Sequence, residues 1–196
     1  LIRVFALLDP TVVVTPLVSD GTYVEKGTVI AEISGNSRSI LSGERVALNL
    51  IQRLSGIATR THEAVRQVAG TKAVIVDTRK TTPGLRTLEK YAVRTGGGRN
   101  HRYNLADGVL IKDNHIKAAG GIKQAVEAVR RTAPHTLKIE VETETMEQVD
   151  EALAAGADII MLDNMSIEEM AAAVKRINGR ALVEASGNMG ERDLRE

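Results

Sequence analysis

The sequence predicts an α/β protein: a partial α/β barrel of parallel strands preceded by a smaller N-terminal α+β domain. Three observations carry this. From Thr71 onward, short β-branched runs alternate with segments of helical period. Glycine or proline punctuates the junctions, at Pro83-Gly84, Gly120-Gly121, Pro134, Gly156 and Gly179. Each apolar run also turns polar at its carboxyl end, where α/β barrels gather ligand-binding groups. A doubly wound open sheet is the alternative.

The first domain is assigned to residues 1–70, with a linking helix, and the barrel to 71–196. The chain opens on LIRVFALLDP without a methionine and closes on GERDLRE, which reads as the first turns of another helix. Both domains are therefore expected to be incomplete, the first at its start and the barrel at its carboxyl end. Within residues 12–33, Val12–Val14, Tyr23-Val24 and Val29–Ile33 read as short strands in two hairpins, separated by Asp20-Gly21 and Lys26-Gly27. Residues 42–69 switch to helical period: Val46, Leu50, Leu54, Ile57 and Ala58 fall on one stripe. Ser42 is the expected N-cap, and Gly56 marks an expected break or close packing. Strands follow at 73–77, 108–112, 137–143, 158–162 and 181–185, and helices at 85–94, 121–132, 146–155 and 167–177.

Composition narrows the function. The 43% hydrophobic and 26% charged content is that of an ordinary globular chain. A net charge of +1 gives no global field for nucleic acid or membrane, so any electropositive site is local. With no cysteine there are no disulfides, thiolate metal sites or cysteine nucleophile. One Phe, three Tyr and no Trp offer no stacking platform for single-stranded nucleic acid. No apolar run spans a bilayer, and a cytoplasmic protein is the default expectation. No pair of histidines has metal-ligand spacing on one face, so no zinc site is expected and no metal ligand is assigned.

Residues 73–115 hold the densest chemistry. Ala73–Val76 ends in Asp77, Thr78, Arg79 and Lys80; a cationic cluster follows at Arg99, His101 and Arg102; and Val109–Ile111 ends in Lys112, Asp113, Asn114 and His115. Strand alternation puts Lys138, Glu140 and Glu142 on one face and Ile139, Val141 and Thr143 on the other. Asp163 shares a face with Met161 and Ile159, and Glu184 with Ser186. Arg79, Lys80 and Lys112 are expected to pair with Glu142 and Asp163, since an unpaired charge inside a barrel is costly. Two strand ends with a cationic, glycine-rich loop between them suit a polyanionic small molecule. TGGGRN lacks dinucleotide-fingerprint spacing and reads as a flexible anion-binding turn. His115 is a ligand contact or a satisfied loop histidine, and His62 and His135 are structural or exposed.

Four blocks, ERVALN--QRLSGIAT, DTRKT-PGLR with GGG-NHR and IKDNH, the EVET and LDN strand ends, and EASGN, resemble the quinolinate phosphoribosyltransferase family in family order. The resemblance implies transfer of a phosphoribosyl group from phosphoribosyl pyrophosphate to quinolinate with loss of carbon dioxide. It implies that Arg79, His101 and Arg102, beside Thr78, bind the quinolinate carboxylates. Arg45 would join them from the neighbouring subunit of a homodimer. Planar guanidinium forks suit carboxylates. Lys80 and Lys112 would lie near the carboxylates and pyrophosphate. Glu142 and Asp163 would face the ribose and hold magnesium that accompanies phosphoribosyl pyrophosphate. Lys80, Lys112, Glu142 and Asp163 are thus the implied catalytic set. Ser186, Gly187 and Asn188 resemble the start of a phosphate-holding loop. The alternatives are a phosphoribosyltransferase of nicotinate or another pyridine-like acid, a molybdenum-operon relative of the same fold, or a non-catalytic module. A binding module has no use for Arg79, Arg102, Lys112, Glu142 and Asp163 together.

Overall fold

Four parallel strands, β3 (Val109–Ile111), β4 (Ile139–Thr143), β5 (Ile159–Asp163) and β6 (Leu182–Ser186), lie side by side in sequence order in the computed structural model, which describes all residues 1–196. Each strand is joined to the next through helix. These are α4 (Asp113–Ala119) and α5 (Ile122–Thr132), then α6 (Met146–Ala154), then α7 (Ile167–Ile177). Sequential parallel order with helical crossovers is the repeat of an α/β barrel, as the periodicity predicts. By contacts the chain groups into two compact units, Leu1–His101 and Arg102–Glu196.

The second unit is built on strand alternation. Ile111 pairs in register with Val141, Val141 with Ile160, and Thr143 with Leu162. These side chains meet Val126, Val149, Ala173 and Ile177 of the helices in one buried core. The opposite face carries Leu110, Glu140, Glu142, Met161, Asp163, Glu184 and Ser186. Leu182 and Val183 on the edge strand β6 are exposed. Helix ends follow their caps. The Thr145 hydroxyl accepts from Gln148 N–H, and Ser166 and Glu169 form a reciprocal capping box. After Ile111 the chain does not remain a loop: Lys112 N–H donates to His115 Nδ1 at 3.0 Å and starts α4. His115 therefore acts as a helix-capping residue.

The first unit holds α1 (Ile2–Leu8), an antiparallel pair β1 (Val13–Pro16) and β2 (Ala31–Ser34), α2 (Ser37–Gln67) and α3 (Arg86–Thr95). Phe5, Val12 and Ala47 form its small core, with Val14, Ile33 and Ile40 packed around them. Several local expectations are corrected. One hairpin replaces the two expected, and Tyr23-Val24 is not a strand: with only β1 and β2 laddered, that segment has no strand to pair with. Helix α2 starts five residues before Ser42, because Asn36 caps it by accepting from Arg38 N–H at 2.9 Å. Ser42 instead donates to the Arg38 carbonyl within the helix. Gly56 neither breaks α2 nor packs closely; nothing lies within 4 Å of where its Cβ would be. No helix of the protein is long and apolar enough to cross a membrane.

Residues 73–77 do not form a strand. The segment is extended but makes a single parallel bridge, Val76 to Arg99, with Asp77 N–H donating to the Arg99 carbonyl and Arg99 N–H to that of Ile75. A strand needs a ladder, and β propensity alone does not supply one. The terminal GERDLRE likewise gives one 3-10 turn, Met189–Glu191, and no longer helix.

The glycine run after α3 has a packing reason. A Cβ on Gly96 would collide with the Ala58 carbonyl of α2, and one on Gly98 would lie 2.8 Å from both Thr61 and Val93. These glycines let the end of α3 approach α2. Gly96→Ala should therefore cost about 2–3 kcal/mol, as overpacking against backbone does. Urea unfolding would measure it, with Gly56→Ala as a control expected to be neutral or slightly stabilising.

Candidate functional site

The carboxyl ends of β3 to β6 bring charged groups together on the sheet face away from the helices. Lys112, just beyond β3, donates through Nζ to Glu142 Oε2 of β4 at 3.0 Å. This is one of the pairings expected from the sequence. Asp163 ends β5 half-buried and accepts at Oδ2 from the side-chain amide of Asn164 at 2.8 Å. Ser186 pairs in register with Asp163, so both sit at the same level of adjacent strands. Gly187 and Asn188 follow with φ of +90° and +54°. A Cβ at Gly187 would lie 2.7 Å from the backbone nitrogen of Asn164, so glycine is required there by both conformation and space.

Glu140, one residue pair below Glu142, is only 2% exposed. Burial raises its pKa to about 7, reinforced by the charge of Glu184. Arg102 opposes the rise, Glu142 adds to it, and a hydrogen bond to the Glu184 carboxyl holds the proton. Arg102 also donates through Nη1 to the Gly108 carbonyl at 3.2 Å, which anchors the guanidinium near the start of β3. Strand alternation already put Glu140 on the face of Glu142. What the sequence does not reveal is that Glu184 of β6 approaches it across β5.

Other expected residues lie in the first unit. Arg45 is exposed on α2, and Thr78 and Lys80 are exposed in the turn after residue 77, where the Thr78 hydroxyl accepts from Lys80 N–H at 3.0 Å. Arg79 is half-buried, and its carbonyl accepts from Arg86 Nη2 at 3.0 Å. The turn is fixed further by Glu89, which accepts from Thr82 N–H at 3.1 Å and from Arg53 at 2.7 Å. Burial pushes Glu89 upward, but the hydrogen bonds from Thr82 and Arg53 bring it below the usual carboxylate value. His101 is half-buried, and both its N–H and its carbonyl are hydrogen-bonded to buried charged side chains, Asp77 and Lys90. Sequence reading missed Asp77, Glu89 and Lys90 as site-shaping residues. Arg86, Glu89 and Lys90 fall at spacings of three and four, a polar stripe that reads as solvent-facing in the sequence but that this helix turns inward.

Basic and acidic groups gathered at the carboxyl ends of a parallel sheet are the arrangement by which barrel-type α/β proteins bind small polar ligands. Two family descriptions account for nearly the whole chain: the quinolinate phosphoribosyl transferase C-terminal domain matches residues 57–196, and its N-terminal domain matches residues 1–55. The chain belongs to the quinolinate phosphoribosyl transferase family. It is 53% identical over 190 residues to a probable nicotinate-nucleotide pyrophosphorylase [carboxylating] of Synechocystis, covering 95% of this chain and 64% of that protein. A protein of the same description from Bacillus subtilis is 55% identical over 185 residues, covering 94% of this chain and 64% of the relative. The chain thus spans just under two thirds of the length of these relatives. A solved structure from Streptococcus pyogenes, described as NadC, superposes with a TM-score of 0.92 at 47% identity, covering 98% of this chain and 69% of that one. The nicotinate-nucleotide pyrophosphorylase of Francisella tularensis also superposes with a TM-score of 0.92, at 44% identity and with the same coverage of both chains.

The raised pKa of Glu140 has a consequence for stability. The folded protein retains a proton that the unfolded chain releases at its ordinary value of 4.5. The native state thus binds more protons between that pH and about 7, and stability falls as pH rises through this window. Glu140→Gln keeps the neutral shape and should gain on the wild type by about 2–3 kcal/mol between pH 5 and pH 8. Denaturant melts at the two pH values check this; a constant difference between the proteins would show that Glu140 does not titrate in that range.

Proposed function

We propose that this chain forms part of an enzyme that transfers phosphoribose from phosphoribosyl pyrophosphate to quinolinate. The products are nicotinate mononucleotide, pyrophosphate and carbon dioxide. The observation that carries this reading is the cluster of Lys112, Glu142 and Asp163 at neighbouring strand ends. It stands in a chain more than half identical to proteins described as carboxylating nicotinate-nucleotide pyrophosphorylases.

The chemistry fits the residues. As the bond from the anomeric carbon to pyrophosphate breaks, positive charge grows on the ribose. Glu142 and Asp163 are placed to stabilise it by electrostatics, without proton transfer. Asp163 accepts hydrogen bonds from the ribose hydroxyls. Lys112 holds Glu142 in place and offers its cation to the departing phosphates or to a ligand carboxylate. Arg102 takes a quinolinate carboxylate through its planar fork. The loop of Ser186, Gly187 and Asn188 presents backbone amides to phosphate. Magnesium fits this donor set, because Glu142 and Asp163 are half-buried oxygen ligands on adjacent strands and Mg²⁺ is held by one or two carboxylates together with phosphate. Bound there, it would neutralise charge on the pyrophosphate. Once the ring nitrogen is ribosylated, its positive charge stabilises the electron pair left on the adjacent ring carbon as carbon dioxide departs, and a proton from water then takes the carboxylate's place there. The protein then needs only to hold the ring. Roles for Thr78, Arg79, Lys80 and His101 as substrate ligands rest on the family resemblance. So does that of Arg45, reaching a neighbouring subunit's site in a homodimer.

Full-length protein given quinolinate, phosphoribosyl pyrophosphate and magnesium is expected to form nicotinate mononucleotide and carbon dioxide, with nicotinate inert as the parallel substrate. Turnover of nicotinate alone would move the protein to a non-carboxylating activity. Asp163→Ala should lower kcat about a hundredfold, the scale of one lost electrostatic stabiliser, with little change in quinolinate affinity. For Arg45, inactive Arg45→Ala and Lys112→Ala proteins should regain activity when mixed under conditions of demonstrated subunit exchange; no recovery would remove the cross-subunit role.

A further inference from the structure

The charge network around α3 has no part in the chemistry above, yet it is the most deeply buried ion pair of the first unit. Lys90 is 4% exposed, and the Asp77 side chain 8%. Lys90 Nζ donates to Asp77 Oδ1 at 2.5 Å and to the His101 carbonyl at 3.1 Å. Asp77 Oδ1 also accepts from His101 N–H at 2.8 Å. The side-chain amide of Asn100 donates to Asp77 Oδ2 at 2.6 Å and to the Lys90 carbonyl at 2.9 Å. Two side chains thus converge on the His101 backbone, and Asn100 braces both of their residues. His101 is clamped at its N–H by the anion and at its carbonyl by the cation.

We propose that Asp77, Lys90 and Asn100 are positioning residues that set His101 for a carboxylate of an aromatic dicarboxylate ligand. This rests on the function proposed above. A buried ion pair is poor value as a stabiliser, since an apolar pair of the same volume packs without the desolvation cost. What an apolar pair cannot do is hold both polar groups of one peptide segment in a fixed orientation. The clamp also fixes the carbonyl of the peptide that leads into Arg102, so the orientation of two successive cationic or hydrogen-bonding residues depends on it. Binding then starts from a preorganised backbone, and less affinity is lost to ordering the loop.

The test replaces both charges at once, so that neither is left buried alone. In the full-length protein, Asp77→Asn combined with Lys90→Met keeps an acceptor for His101 N–H and releases its carbonyl. Asn100→Ala, at an exposed position, is the milder variant. Thermal melting establishes folding, and calorimetry gives Kd for quinolinate and, separately, for phosphoribosyl pyrophosphate with magnesium. The expected result for the double variant is quinolinate binding weakened about tenfold or more, with phosphoribosyl pyrophosphate changed less than about twofold. Asn100→Ala should shift quinolinate binding in the same direction by a smaller factor. Wild-type quinolinate affinity in a folded double variant would overturn the inference alone, as would equal loss of both substrates, which marks a purely structural network. If the double variant does not fold, Asn100→Ala decides, and unchanged quinolinate binding there overturns the inference. Failure of the wild-type protein to bind quinolinate would instead remove the proposed function, and this inference with it.

Discussion

Strand alternation in β4 is the constraint on which the second unit depends. Ile139, Val141 and Thr143 are buried among the helices, and Glu140 and Glu142 therefore face the other way. The ladder transmits that choice to its neighbours. Val141 and Ile160 stay level on the apolar side, and Glu142, Met161 and Glu184 stay level on the polar side. A slip of β4 by one residue would drive Glu140 and Glu142 into the helix-packed core. The same register that closes the core therefore delivers Glu142 and Asp163 to the strand ends, and folding and site construction are one event.

The polar face carries an electrostatic load that the fold must offset. Glu140, Glu142 and Glu184 are mutually repulsive, and Glu140 has little access to water. Two devices relieve this. Lys112 pairs with Glu142, and Glu140 keeps its proton near neutral pH while sharing a hydrogen bond with Glu184. The second device costs no additional cation, leaving Arg102 to act toward a ligand as well as toward Glu140. Lys112 and Arg102 are the basic groups this face can turn toward an anionic guest.

The parallel strands and helices α5, α6 and α7 were legible because periods of 2 and 3.6 are written directly into residues 108–112 and 121–186, and each break falls on glycine, proline or a capping residue. Residues 73–77 have the same β-branched composition as β3, yet lack a ladder, since pairing depends on a partner strand and not on propensity. The start of α2 was misplaced because Ser42 looks as good a cap as Asn36, and only the side-chain contact to Arg38 separates them. Lys112, Glu142 and Asp163 could be named because they end apolar runs. Lys90 and Glu89 could not, because a charged stripe on a helix reads as a solvated face, and here it is buried under two loops whose backbones need partners.

The loops after β5 and β6 show how a motif glycine can serve two ends. An SGN sequence invites the reading that glycine lets a backbone approach a phosphate. Yet Gly187 is already demanded by Asn164, whose backbone amide donates to the Ser186 carbonyl at 3.0 Å and whose side chain turns to Asp163. Asn164 and Asn188 both adopt left-handed backbone, φ +55° and +54°, a conformation asparagine tolerates better than most residues. The two loops therefore interlock through backbone contacts that leave no room for a side chain. A ligand phosphate that ordered the loop at Ser186 would act through Gly187 on Asn164, and through Asn164 on the carboxylate of Asp163. On the proposed function, phosphate holding at Ser186 and ribose recognition at Asp163 would thus be linked through Asn164 and the missing Cβ of Gly187.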